Sequence, residues 1–129
     1  APWRGICALP AFWVGLLYDS TSLDAAWDLV KNWSAEERQE LRNAVPKQAL
    51  DTPFRSGTIH DIARECLEIA ENGLEARGFK DSYGDDERQF LQIVEDVVAS
   101  GRTPAQRLLA SFEAEWGQDI DKLFMAEAF

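Results

Sequence analysis

From Leu9 to Asp19 the chain reads LPAFWVGLLYD, eleven residues with a single charge at the far end, inside a sequence that is otherwise rich in acids. As a helix, this run places Leu9, Phe12, Trp13, Leu16 and Leu17 on one face, at the i, i+3, i+4, i+7, i+8 spacing of a buried stripe. The opposite face, Ala11, Val14, Gly15 and Tyr18, offers water little. Such a helix requires protein on most of its sides, so it predicts a central element of something larger or a surface for a partner.

The rest of the chain punctuates itself into further helices. Ser20, Thr21 and Ser22 are candidate N-caps for a second, with Leu23, Ala26, Trp27 and Val30 as its stripe and Trp33 near the same face. Ser34 to Glu37 has the S-x-x-E form of a capping box, opening a third helix that runs to about Ala44, where Pro46 is expected to end it. Thr58 caps the longest helix, with Ile59, Ile62, Ala63, Cys66, Ile69, Ala70 and Leu74 in register and Gly78 at the left-handed stop. After a turn at Asp81 to Gly84, a fifth helix begins among Asp85, Asp86 and Glu87, where negative charge suits the helix dipole. It carries Phe90, Ile93, Val94, Val97 and Val98 to Gly101. Thr103 and Pro104 introduce a sixth, with Leu108, Leu109, Phe112 and Trp116 before Gly117, and a short terminal helix is expected from about Ile120. No segment alternates apolar and polar residues over strand length. The expected class is therefore all-α, an irregular domain of about six to seven helices spanning 1–129 as one unit.

Composition narrows the function. With 46% hydrophobic residues the chain has enough apolar area to fold despite a formal net charge of −10, and 129 residues bury roughly two-thirds of the unfolded surface in one domain. Acids outnumber bases 23 to 13, which argues against nucleic acid as a partner, since phosphate binding needs clustered Lys and Arg. The apolar runs are too short to span a bilayer, and nothing at the amino end reads as a signal peptide, so a cytoplasmic protein without a membrane partner is expected.

Motifs for chemistry are sparse. Neither a G-x-G-x-x-G nor a phosphate-loop pattern is present. Cys7 and Cys66 lack the paired spacing of a zinc or redox site, and Cys66 lies on an apolar stripe as a small buried residue. The single histidine, His60, in the first turn of the longest helix, reads as structural. Asp85, Asp86 and Glu87 read as a solvated helix start, so no metal ligands and no catalytic set are assigned. The stretch with the most functional character is PKQALDTPFRSG, Pro46 to Gly57, a long irregular connection. In it Arg55 stands just before a helix N-terminus, where a guanidinium and exposed N–H groups can receive an anion. The competing reading has Phe54 pinning the loop to the core and Arg55 paired with one of the chain's acids. Trp13, Trp27, Trp33 and Trp116 fall on helical apolar positions as core or interface anchors, and Trp3 precedes the helices.

The segments PWRGICALPAFWVGLLYD, SAEERQELRNAVP, TPFRSG, GLEARGFK, TPAQRLL and EWGQDID, in this order and over nearly the whole chain, resemble the carboxy-terminal region of plant-type glutamate–cysteine ligases, which also occur in proteobacteria. The resemblance implies an enzyme that joins the γ-carboxyl of L-glutamate to the amine of L-cysteine with ATP and Mg²⁺, through a γ-glutamyl phosphate, as the first step of glutathione synthesis. It implies a curved antiparallel sheet that holds nucleotide, metal and glutamate, surrounded by helices and lying outside this chain. On this view the chain is a carboxy-terminal helical domain whose partner is the remainder of its own polypeptide. It is inactive alone, inclined to self-associate, and contributes at most Arg55 as a substrate-anion contact. Plant members respond to redox state through disulfides, which marks Cys7 as a possible redox residue. Asp81 to Arg88 is longer than the family's usual turn. The alternatives are a non-catalytic acidic helical interaction module and a related carboxylate–amine ligase with another acceptor.

Overall fold

The computed structural model describes residues 6–114 together with Ile120, Asp121 and Met125. Six α-helices occur among the described residues: α1 (Ala8–Leu17), α2 (Ser20–Val30), α3 (Ala35–Gln48), α4 (Ile59–Arg77), α5 (Gln92–Ser100) and α6 (Pro104–Ala114). Two 3-10 turns, Ala49–Asp51 and Glu87–Leu91, and one antiparallel pair of two-residue strands, β1 (Pro53–Phe54) and β2 (Gly57–Thr58), complete them. The all-α class holds. The expected terminal helix falls largely outside the described residues, of which Ile120, Asp121 and Met125 are helical. Trp3, Trp116 and Gly117 lie outside them.

α4 organises the fold. Its N-terminus is closed by the Asp61 carboxylate, which accepts the Thr58 N–H at 3.1 Å. Its C-terminus stops at Gly78, whose φ of +68° needs a residue without Cβ and whose N–H reaches the Leu74 carbonyl. The apolar side of α4 supplies Leu67, Ala70 and Leu74 to a core completed by Ala11, Leu16, Leu91 and Val98. α1, α2 and α5 all pack against this helix.

The face by which α1 meets α4 is not the one its hydrophobicity predicts. Ala8, Ala11, Gly15 and Leu16 are buried, whereas Leu9, Trp13 and Leu17 of the expected stripe are exposed. The helix is thus turned roughly a third of a turn about its axis, toward its small residues. Backbone proximity explains it. A Cβ on Gly15 would stand 2.4 Å from the Ala70 carbonyl oxygen, and one on Gly73 would stand 2.0 Å from the Gly15 carbonyl oxygen. The two helices cross where neither has a side chain, and only the glycine face of α1 can come that close.

α2 likewise departs from expectation. Its N-cap is Asp19, which accepts the Ser22 N–H at 3.0 Å. Ser22 is buried and donates its hydroxyl to the Ile69 carbonyl of α4. The expected stripe Leu23, Trp27 and Val30 is exposed, while Ala26 packs against the core.

Three other boundaries shift. α3 opens with the expected capping box, Ser34 and Glu37 exchanging bonds of 3.0 and 3.1 Å, but it continues through Pro46 to Gln48. A proline this close to the end removes only one backbone donor, and the ring meets the last turn rather than the helix interior. The acids at 85–87 do not open α5. Asp86 caps the 3-10 turn by accepting the Arg88 N–H at 2.9 Å, and α5 starts at Gln92. The 3-10 turn places Leu91, fully buried, beneath α1 and α4. The stretch Asp81 to Arg88 is held by Asp81, whose carboxylate accepts from Tyr83 N, Asp85 N and the Gln89 side chain.

Candidate functional site

The connection from Pro46 to Gly57 is far more ordered than its composition suggests. Its first three residues belong to α3, a 3-10 turn follows, and Pro53 to Thr58 form the small hairpin. Thr52 is buried, its hydroxyl donating to the Ala49 carbonyl at 2.7 Å and its own carbonyl accepting from Ile59 N at 2.9 Å. Phe54 is buried and packs on Trp33, with ring centroids 4.7 Å apart. This aromatic pair fixes the hairpin against the start of α3.

Arg55 occupies the hairpin turn at φ +52°, a left-handed conformation that a non-glycine residue adopts only under constraint. The constraint is visible in its side chain. Nε donates to Glu37 Oε2 at 2.8 Å, while Nη2 donates to Glu37 Oε1 at 3.1 Å and to the Asn32 carbonyl at 3.1 Å. The guanidinium carbon lies 5.3 Å from the centre of the Phe54 ring. This is a two-pronged carboxylate clamp, the geometry in which arginine binds most specifically. Glu37 serves two structures at once, the capping box of α3 and the hairpin. The Arg55 hydrogen bond, with help from the Ser34 N–H, lowers its pKa to about 2.

A guanidinium engaged in this way receives an outside anion only by giving up Glu37. The helix N-terminus beside it is occupied as well, since Asp61 takes the Thr58 N–H and would sit 2.3 Å from a Cβ on Gly57. The arrangement in this chain is therefore a structural latch between α3 and the hairpin. The sequence reading in which Phe54 pins the loop and Arg55 pairs with an acid describes it. A shallow cleft of about 260 Å³ lies beside the latch, lined by Glu40, Leu41, Gln48, Pro53 and the latch residues.

The pH behaviour follows from the sign of the Glu37 shift. A carboxyl held near 2 when folded, against an ordinary value of about 4.3 when unfolded, stabilises the fold above the unfolded value and loses that contribution as pH falls toward 2. Arg55→Met is expected to lower the melting temperature at pH 6, with the gap to the wild type narrowing steadily between about pH 4.5 and pH 2. Thermal melts across that range check it, and a gap independent of pH removes the latch.

A second, larger cleft of about 480 Å³ lies between α4, the Lys80–Gln89 segment and α5, lined by Glu71, Lys80, Asp85, Asp86, Arg88 and Glu95. Burial, and a hydrogen bond shared with Glu95, raise the Glu71 carboxyl above its ordinary range. Arg88 is engaged on the other wall by Asp86 at 3.0 Å and Glu75 at 3.5 Å. Among the described residues no group of three or more His, Cys, Asp or Glu is placed to hold a metal ion. The remaining residues singled out in the sequence are separate from both clefts. His60 Nε2 donates to the Val98 carbonyl and ties the start of α4 to the end of α5. Cys7 is an exposed free thiol at the start of α1, and Cys66 is a half-buried one whose pKa burial raises.

Comparison with known proteins decides what these elements belong to. Residues 1–126 match the model of Glutamate-cysteine ligase family 2 (GCS2). The chain belongs to this ligase family. It is 50% identical over 123 residues to the chloroplastic glutamate–cysteine ligase of Arabidopsis thaliana, covering 95% of this chain and 22% of that protein. Glutamate–cysteine ligase A of Oryza sativa subsp. indica, also chloroplastic, matches at 50% identity with 24% of its length covered, and the Nicotiana tabacum ligase at 47% with 22% covered. The chain thus spans less than a quarter of the length of these relatives. Membership of the ligase family concerns a part of the enzyme, and the carboxy-terminal position expected from the sequence is not carried forward from it. In this ligase chain no described helix is long and apolar enough to cross a membrane.

Proposed function

We propose that this chain is a helical part of an ATP-dependent glutamate–cysteine ligase and that it supports the catalytic part without itself carrying the reaction. The observation that carries this reading is the identity of about half of all residues over 95% of the chain to enzymes named for that activity. The whole enzyme joins the γ-carboxyl of glutamate to the amine of cysteine, with ATP and Mg²⁺ supplying activation of the carboxyl. The described residues fit a supporting role. They present no metal-binding group, and the one arginine suited to a carboxylate is locked to Glu37. What this chain does for the reaction is to hold its own helices in register, through the Gly15–Gly73 crossing and the Arg55 latch, so that the remainder packs on a fixed surface.

The test is product formation by the full-length protein. With ATP, Mg²⁺, glutamate and cysteine it is expected to release γ-glutamylcysteine and ADP in equal amounts. ATP-dependent ligation of glutamate only to another amine would keep the ligase and remove cysteine as acceptor. No ATP-dependent product with any amine would remove the reading.

A further inference from the structure

We propose that the outer stripes of α1 and α2 form the seam along which the remainder of the ligase polypeptide covers this helical part, with Trp13 and Trp27 as anchors. The inference rests on the reading of the chain as part of a longer ligase and names the surface that joins the parts.

On α1 the residues pointing away from α4 are Leu9, Trp13 and Leu17, four residues apart and all about half exposed or more. On α2 they are Leu23 and Trp27, the latter 61% exposed. Both helices already use their small or polar positions, Gly15 and Ser22, to reach α4. The apolar stripes are therefore surplus to the core of this chain. Isolated exposed apolar residues are ordinary, but successive aromatic and aliphatic residues along two consecutive helices mark an interface. Indole rings are the side chains that most often anchor one.

The chain is not short of charge for its water-facing surfaces, with a net charge of −10. Glu36, Glu65 and Glu68, for example, all lie exposed on α3 and α4. Between Ile6 and Tyr18, by contrast, there is no charged residue at all. An outer helix face with no charge in a strongly acidic chain is a face that water does not see in the complete molecule.

The occupant follows from length and charge. The matched relatives extend over more than four times the length that this chain covers, since its share of them is 22% to 24%. Ample polypeptide of the same enzyme is thus available beside the stripes. A second copy of the chain is a poorer fit. It would bring another −10 against the first and set its exposed Asp24 and Asp28 against their equivalents. A segment tethered in the same polypeptide also acts at high effective concentration.

Hydroxyl-radical footprinting with mass spectrometry, on the unaltered chain alone and on the full-length ligase, tests this residue by residue. Oxidation of Trp13 and Trp27, normalised to the exposed Tyr83, is expected to fall about tenfold in the full-length protein, as for anchors from which water is excluded. Equal oxidation in both would overturn the proposal. So would protection that appears in the isolated chain only as its concentration rises and is missing from the full-length protein, because that assigns the stripes to a second copy. The result is independent of catalysis. Protected tryptophans in a full-length protein that makes no γ-glutamylcysteine would leave the seam and remove the function, and oxidised tryptophans in an active enzyme would do the reverse.

Discussion

Replacing Gly73 by alanine is expected to destabilise the chain by about 2 kcal/mol, although alanine is the better helix former. In an open helix the change would gain about 1 kcal/mol. Here the new methyl would stand 2.0 Å from the Gly15 carbonyl oxygen and 2.8 Å from Ser22 Oγ. The first of these is backbone and cannot rotate aside, so α1 must move off α4. Overpacking of this kind costs typically about 1–3 kcal/mol and more where backbone shifts are needed. Moving α1 also pulls Ala11 and Leu16 from the core and opens the Ser22–Ile69 bond. Urea unfolding of the two proteins reads the difference directly, and a neutral or stabilising Gly73→Ala would mean that the helices do not cross at this point.

Leu74→Ala is expected to cost more, about 2–5 kcal/mol, the range for truncating a buried leucine whose surroundings relax only in part. Leu74 has 0% of its surface exposed and belongs to the one core cluster, with Leu67, Ala70 and Leu91. Against a total of roughly 5–15 kcal/mol for a domain, that is a large share. The contrast with Leu9→Ala is informative. By hydrophobicity Leu9 is the first residue of the buried stripe of α1, but it is 62% exposed. In the isolated chain its truncation is expected to stay within about 0.5 kcal/mol. Equal losses for the two leucines would return the expected stripe of α1 to the core.

These two cases show what the chain discloses before it is folded. The limits of α4 are legible because three local signals agree: the Thr58 start, the apolar period through Ala63, Ala70 and Leu74, and Gly78 at the stop. The capping box of Ser34 and Glu37 is legible for the same reason, its atoms lying within one turn. The orientation of α1 is not local. It depends on Gly15 meeting Gly73 of a distant helix, and a scale that ranks Leu and Trp above Gly cannot see that backbone proximity outweighs side-chain burial here. The exposure of the α2 stripe is hidden for a related reason, since periodicity shows which side chains share a face and not which faces the chain itself can cover. Leu91 escapes notice because it falls in a 3-10 turn ahead of α5, out of step with a 3.6-residue period.

At the latch, sequence reasoning singles out Arg55 and Phe54 correctly as a pair of consequence but does not identify the acid. Glu37, 18 residues away, is already accounted for by its capping box. Nothing in the sequence indicates that one carboxylate serves both. The irregular composition of Pro46 to Gly57 suggests a loop, whereas backbone bonds of Thr52 and the Trp33–Phe54 contact turn much of it into a fixed corner. Pro46 misleads in the same way, because a proline signal gives its position in the sequence and not its distance from the end of the helix.

The central claim is that this helical part belongs to a glutamate–cysteine ligase and works only as a part of it. The most direct measurement is γ-glutamylcysteine formation by the isolated 129-residue chain beside the full-length protein, each with ATP, Mg²⁺, glutamate and cysteine. The account predicts product from the full-length protein and none from the chain alone. Product from the chain alone would contradict it.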